Sequence, residues 1–154
     1  MPSSTWNIDA VRSREAMIRV FEKNGPTNDW GGIVVAHLDT GFTNHAVFNL
    51  AGAMPALRVA DGLNLVDAGV TEPRDPLNYA GGLTQPGHGT RTLGALCGNL
   101  PGFYTGVCPT VPVVPYRITN SVVLSGQTIV NAALAITDAV DRHLADVISI
   151  SLGV

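Results

Sequence analysis

Asp39 and His88 are the two residues whose type and setting point most directly to acid–base chemistry. Asp39 ends an apolar run and is followed by Thr40-Gly41, and His88 lies within Gly87-His88-Gly89-Thr90. A carboxylate that orients an imidazole and an imidazole that accepts a proton are two of the three groups of a hydrolytic triad. None of the serines sits in a nucleophile motif. The sequence therefore predicts this chemistry with its third group missing.

Two predicted elements must position these side chains. Residues 32–38 form a nearly continuous apolar, β-branched run, which is typical of a central parallel strand buried on both faces. Residues 88–100 predict a helix that begins at His88 and carries small residues suited to close packing. Ligands of parallel sheets bind beyond the carboxyl ends of the strands, which is where Asp39 would lie.

The rest of the chain alternates between helical and strand patterns. They predict an entry helix at 8–22, a strand at 62–66, an irregular segment at 67–85, a strand at 111–118, a helix at 125–143 and a strand at 146–153. Pro112 and Pro115 favour an irregular or edge-like position for the strand at 111–118. We therefore predict an α/β fold, a three-layer, mostly parallel sheet with flanking helices, in one domain covering residues 1–154.

Composition narrows the function classes. The 154 residues are 45% hydrophobic and 14% charged, with a net charge of −3, so the chain can bury a core but carries no basic field. We expect no nucleic-acid partner and no membrane partner. No signal peptide is visible, so the protein is cytoplasmic or secreted with its leader removed. Cys97 and Cys108 fit two buried or half-buried thiols better than a disulfide.

Four segments, in this order, carry a family resemblance: Val35–Gly41, Gly87–Thr90, Gly106–Pro109 and Val147–Gly153. Together they resemble the N-terminal half of the subtilisin-like serine peptidases. The resemblance implies that Asp39 is the triad aspartate and His88 the triad histidine. It also implies that Ser151, Leu152 and Gly153 pair with the substrate backbone. The full enzyme would hydrolyse peptide or protein substrates through an acyl-enzyme, with no cofactor.

The chain also departs from the family pattern. The family's Gly-Thr-Ser motif and its oxyanion asparagine lie beyond Val154, so we expect a fragment truncated before the C-terminal half and inactive alone. An exposed sheet edge would then pair with the missing C-terminal half or through self-association. Val47 stands where many members have a calcium-binding aspartate, so we expect no metal there.

Two alternatives remain open. His37 projects to the same side of its strand as Asp39, and His37, Asp39 and His88, with His45, are residue types that a metal-dependent hydrolase uses. The competing interpretation of His37 is a core histidine bonded to a neighbouring carbonyl. The other alternative is a non-catalytic binding or scaffold module derived from a peptidase half, or, less favoured, a domain that uses Asp39 in phosphoryl or nucleotide binding.

Overall fold

A computed structural model of the chain describes residues 5–25, 30–48 and 57–153. Its α-helices are α1 (Trp6–Ala10), α2 (Ser13–Asn24), α3 (His88–Cys97) and α4 (Gly126–Asp141). Its strands are β1 (Val35–Asp39), β2 (Leu63–Asn64), β3 (Asn99–Leu100), β4 (Tyr104–Thr105), β5 (Val113–Arg117) and β6 (Val147–Ile150). Single 3-10 turns lie at Trp30–Gly32, Ala46–Phe48 and Val59–Asp61.

The main sheet is parallel, with the strand order β2-β5-β1-β6. β1 pairs with β5 on one side and with β6 on the other, and all five of its residues are buried. The predicted α/β fold with a mostly parallel sheet and flanking helices is confirmed. Burial on both faces explains why the β1 segment lacks the polar alternation of a half-exposed strand.

Two apolar clusters cover the two faces of the sheet and make its three layers. Leu38 and Tyr116 pack with Ala135 and Ala139 of α4 on one face. On the other face, a second cluster includes Val35 and Val113 of the sheet and residues of α3. Leu93 and Cys97 of α3 are fully buried in this second cluster. α3, the helix that begins at His88, therefore packs directly against β1 on the face opposite to α4.

The prediction of an edge-like strand at 111–118 is wrong, because β5 lies between β2 and β1. Pro115 is tolerated there because its backbone faces the side of Gly62, where the Val59–Asp61 turn interrupts the pairing. A Cβ on Gly62 would lie 2.1 Å from the Pro115 carbonyl oxygen, which marks that approach. β2 resumes pairing only at Leu63, opposite Tyr116. The missing amide of proline therefore leaves no gap in the ladder with β1.

Several predicted bounds also need correction. The entry helix is two helices, separated at Arg12, whose φ of 55° is left-handed. α3 ends at Cys97, and Asn99–Leu100 turns back to pair with β4 as an antiparallel hairpin. The strand predicted at 62–66 pairs only at Leu63–Asn64, and residues 67–85 lack helix and strand as predicted. The last predicted helix and strand are shorter in the structure, as α4 and β6.

Among the helices in the described ranges, none is both long and apolar enough to cross a membrane.

β6 lies at one end of the described sheet, and its Val147 and Ile150 are 47% and 40% exposed. These two side chains point to opposite faces because they are three residues apart on a strand. Apolar side chains are thus uncovered on both faces at this edge.

Candidate active site

Asp39 and His88, which are 49 positions apart in the sequence, meet at the carboxyl end of β1. The Asp39 Oδ1 and His88 Nδ1 atoms are 2.7 Å apart. A carboxylate only accepts hydrogen bonds, so Nδ1 of His88 carries the proton and donates it. The Nε2 atom of the neutral ring is then free to accept a proton. Within the described residues it has no hydrogen-bond partner, and the His88 side chain is 20% exposed.

Two glycines let α3 approach β1 closely enough for this contact. A Cβ on Gly89 would lie 2.1 Å from the Gly41 carbonyl oxygen and 3.1 Å from the Asp39 Cβ. Gly41 has a φ of 99°, and a Cβ there would lie 2.7 Å from the Pro73 carbonyl oxygen. Any side chain at either position would separate the segments that carry the acid and the imidazole. These contacts give a physical reason for glycine on both sides of the pair.

A buried carboxylate, Asp75, ties the Asp39 and His88 segments together. Its Oδ2 atom accepts hydrogen bonds from the Thr40 hydroxyl at 3.0 Å, the Gly87 amide at 2.8 Å and the Tyr79 hydroxyl at 3.0 Å. The Thr40 hydroxyl in turn accepts the amide of Gly89 at 3.0 Å. The residue after Asp39 and the two residues that flank His88 are therefore held by one connected network.

Arg117, the last residue of β5, also fixes the position of Thr40, which follows Asp39. It is 1% exposed and lies opposite Asp39 in the pairing of β5 with β1. Its guanidinium donates to the Thr40 carbonyl, to Asn120 and to Asp67, and it lies 5.3 Å from the centre of the Tyr79 ring. The hydrogen bond from Arg117 lowers the pKa of Asp67, so the buried cation is paired with an ionised carboxylate.

Comparison with protein families gives a match between residues 31–154 and the model of the subtilase family. The chain belongs to this family. Membership indicates serine peptidase activity in general, and the matched range contains Asp39, His88 and the whole sheet. No curated protein matches the chain significantly.

In this subtilase, Ser151, Leu152 and Gly153 follow β6 at the carboxyl edge of the sheet. Ser151 and Gly153 are exposed and Leu152 is half-buried against the core cluster of α4. The Gly153 amide donates to the Val122 carbonyl at 2.9 Å, and the Gly153 carbonyl accepts the Leu124 amide at 2.6 Å. The main-chain groups of Gly153 are thus already paired within the chain.

His37 lies on β1 beneath the Asp39 carboxylate and is 2% exposed. Its Nε2 atom is 3.0 Å from the Thr92 hydroxyl, rather than from a backbone carbonyl, and 4.0 Å from Asp39 Oδ2. Burial lowers the pKa of His37 to about 4, which outweighs the opposing influence of Asp39. The ring is therefore neutral at neutral pH.

The histidines of the metal interpretation form no metal-binding cluster within the described residues. His45 is exposed, and its ring packs edge-on against Phe48 at 6.4 Å. In ranges 5–25, 30–48 and 57–153, no three His, Cys, Asp or Glu side chains are arranged to hold a metal ion. Cys97 and Cys108 are free thiols, the first buried and the second half-buried, and burial raises the pKa of Cys97 to about 12.

Sequence reasoning missed Thr92, Asp75 and Arg117. Thr92 follows His88 by one helical turn, and this i to i+4 spacing was a usable signal. Asp75 lies in the irregular segment, where no periodicity marks it. Arg117 is a charged residue within an apolar strand pattern, and this pattern indicates a buried, paired side chain.

Proposed function

We propose that Asp39 and His88 are the acid and base members of an Asp-His-Ser triad that hydrolyses peptide bonds. His88 Nε2 takes the proton of a serine hydroxyl as its oxygen attacks the peptide carbonyl, and later delivers that proton to the leaving amine. Asp39 fixes the tautomer of His88 and stabilises the imidazolium that forms. The finding that carries the proposal is the 2.7 Å contact between Asp39 Oδ1 and His88 Nδ1.

The nucleophile is not among the described residues. No serine hydroxyl in those ranges is hydrogen-bonded to His88 Nε2, and the printed sequence contains no Gly-Thr-Ser motif. We propose that the serine belongs to a segment other than these 154 residues and that the 154 residues alone do not hydrolyse peptides. The base and its orienting acid are nevertheless in contact before the nucleophile is added.

Substrate pairing is proposed for Ser151, Leu152 and Gly153. An extended peptide would add to the exposed edge that these residues form and would bind mainly through main-chain hydrogen bonds. Pairing at Gly153 requires the peptide to replace the bonds to Val122 and Leu124.

The uncovered edge of β6 supports a further partner proposal. Val147 and Ile150 are exposed on opposite faces of the strand, next to backbone groups at the end of the described sheet. We propose that the complementary C-terminal half of the peptidase covers this edge and that self-association covers it in the isolated 154-residue chain.

The proposal is tested on the chain expressed together with the coding sequence that follows Val154. Hydrolysis of a fluorogenic peptide and labelling by a fluorophosphonate should both appear in the extended protein and be absent from the 154-residue chain. In the extended protein, Asp39→Asn should lower kcat by about 10⁴-fold. His143→Asn is the matched control, because it changes an exposed histidine with a φ of 52°, a conformation that asparagine tolerates.

Three outcomes would contradict the triad. Hydrolysis that survives Asp39→Asn would remove the acid from its proposed role. Activity that a chelator abolishes and a fluorophosphonate leaves intact would favour the metal-dependent alternative. Peptide binding by the extended protein without hydrolysis or labelling would favour a non-catalytic module.

A further inference from the structure

The triad leaves two groups beside Asp39 unused. The His37 ring, which is 2% exposed, and the Thr92 hydroxyl form a chain that ends at Asp39. Its two contacts are His37 Nε2 to Thr92 Oγ1 at 3.0 Å and Thr92 Oγ1 to Asp39 Oδ2 at 3.0 Å. A histidine in the interior of a buried strand is costly to keep unless its polar atoms are used.

The two oxygens of Asp39 differ in their partners. Oδ1 accepts the Thr40 amide and the His88 Nδ1–H, both at 2.7 Å. For Oδ2, the described residues provide one donor within hydrogen-bond distance, the hydroxyl of Thr92. Asp39 is fully buried, so an Oδ2 atom without that donor would be left without solvation.

The Thr92 hydroxyl has one proton and several acceptors within reach. Besides Asp39 Oδ2, the carbonyl oxygens of Gly89 and His88 lie at 3.1 and 3.3 Å. A carboxylate is a stronger acceptor than a peptide carbonyl, so the proton goes to Asp39. Thr92 Oγ1 must then be the acceptor of the contact with His37, and His37 Nε2 must carry the proton.

We propose that His37 and Thr92 are positioning residues that fix the Asp39 carboxylate by a relay, from His37 Nε2–H to Thr92 Oγ1 and from Thr92 O–H to Asp39 Oδ2. This inference rests on the proposed function, because what it positions is the acid of the triad. With Oδ2 held from behind, rotation of the carboxylate is restricted and Oδ1 stays aimed at His88.

The opposite tautomer of His37 would undo this arrangement. Nε2 would then be an acceptor, and the single Thr92 proton could satisfy either Nε2 or Asp39 Oδ2 but not both, which leaves one buried acceptor without a donor. The lowered pKa of His37 agrees with the relay, because a neutral ring supplies one donor without adding a charge beside Asp39. Thr92 therefore couples the neutral buried imidazole to the Asp39 carboxylate, which it does not contact directly.

The first test is nitrogen-15 NMR of the 154-residue chain and needs neither activity nor a variant. Long-range proton–nitrogen spectra at pH 7 should show His37 protonated at Nε2 and unprotonated at Nδ1. They should show His88 protonated at Nδ1. A His37 ring protonated at Nδ1 instead would overturn the relay even if no variant folds.

The second test compares three variants by exchange of the His88 Nδ1–H with water. Thr92→Val removes the hydroxyl with little change in shape and should speed this exchange about tenfold. Thr92→Ser restores the donor and should stay within about twofold of the wild type. Thr128→Val is the matched control, since Thr128 is a buried helical threonine whose hydroxyl bonds Thr119 and not Asp39. Equal exchange in Thr92→Val and Thr92→Ser would contradict the proposal.

Kinetics of the extended protein separate this inference from the proposed function. Thr92→Val should lower kcat about tenfold with KM unchanged, because the carboxylate acts on the imidazolium that forms in the transition state. Wild-type kcat in Thr92→Val, with activity still dependent on Asp39, would reject the relay and keep the triad. A relay seen by NMR, together with an extended protein that hydrolyses nothing, would reject the triad alone.

Discussion

His37 should make the stability of this protein depend on pH between about 4 and 6.5. The perturbation is a change from pH 7 to pH 5, compared between the wild type and His37→Gln. Glutamine does not titrate, and its amide nitrogen can still donate to Thr92, so the variant removes the titration and keeps a donor. Other titrating groups contribute equally to both proteins and cancel in the difference.

The magnitude follows from the pKa of His37, which burial lowers from 6.5 to about 4. In this window the unfolded chain binds a proton at His37 and the folded chain does not, so lowering the pH favours unfolding. The ring is 2% exposed, so solvent screening is small. A shift of this size costs the wild type about 2 kcal/mol between pH 7 and pH 5 and about 3 kcal/mol by pH 4, relative to His37→Gln.

The assay is urea unfolding followed by tryptophan fluorescence. Trp30 is a suitable probe, because it is half-buried and its indole nitrogen donates to the Pro109 carbonyl at 3.0 Å. Extrapolated free energies of unfolding at the two pH values give the double difference. A difference near zero would mean that His37 is protonated in the folded state at pH 5. A difference of opposite sign would mean that Asp39 holds the ring charged, and either result refutes the reasoning.

Three further predictions concern the framework. Gly89→Ala should destabilise the fold by about 2 kcal/mol in urea unfolding, because its Cβ meets the Gly41 carbonyl, whereas Gly82→Ala points into open space and should be near neutral; equal effects would contradict the close approach. Asp75→Asn should cost about 2 kcal/mol, since asparagine has one acceptor oxygen and cannot accept both the three donors on Oδ2 and the Leu77 amide on Oδ1, and an unchanged urea midpoint would reject the network. Light scattering should show the 154-residue chain self-associated and Ile150→Lys less so; a monodisperse wild-type monomer would refute the edge proposal.

The parts of the fold that could be predicted are those where local pattern and tertiary environment agree. The apolar run before Asp39 indicates a strand buried on both faces, and β1 is such a strand. The approach of Asp39 to His88 follows from two signals: one residue ends a parallel strand and the other begins the helix on that sheet. Family resemblance supplied the pairing, and the 2.7 Å contact agrees with it.

The missed parts depend on contacts that have no local signature. Pro115 favours an edge strand by its residue type, yet β5 lies inside the sheet. Proline is tolerated there because the Val59–Asp61 turn interrupts the pairing on the side that the Pro115 backbone faces. Asp75 gains its donors from Thr40 and Gly87, which lie 35 residues before it and 12 after it. A short sequence pattern around Asp75 therefore cannot indicate these partners.

The Asp75 network has a consequence for how the site could be lost. The segment at residues 67–85 has no helix or strand of its own, while its Asp75 joins Thr40 to the residue before His88. Local opening of that segment, through cleavage by a contaminating protease or through mild denaturant, would release the imidazole while β1 and β5 stay paired. Inactivation would then precede any change in far-ultraviolet circular dichroism, and storage stability would be governed by a loop rather than by the melting of the sheet.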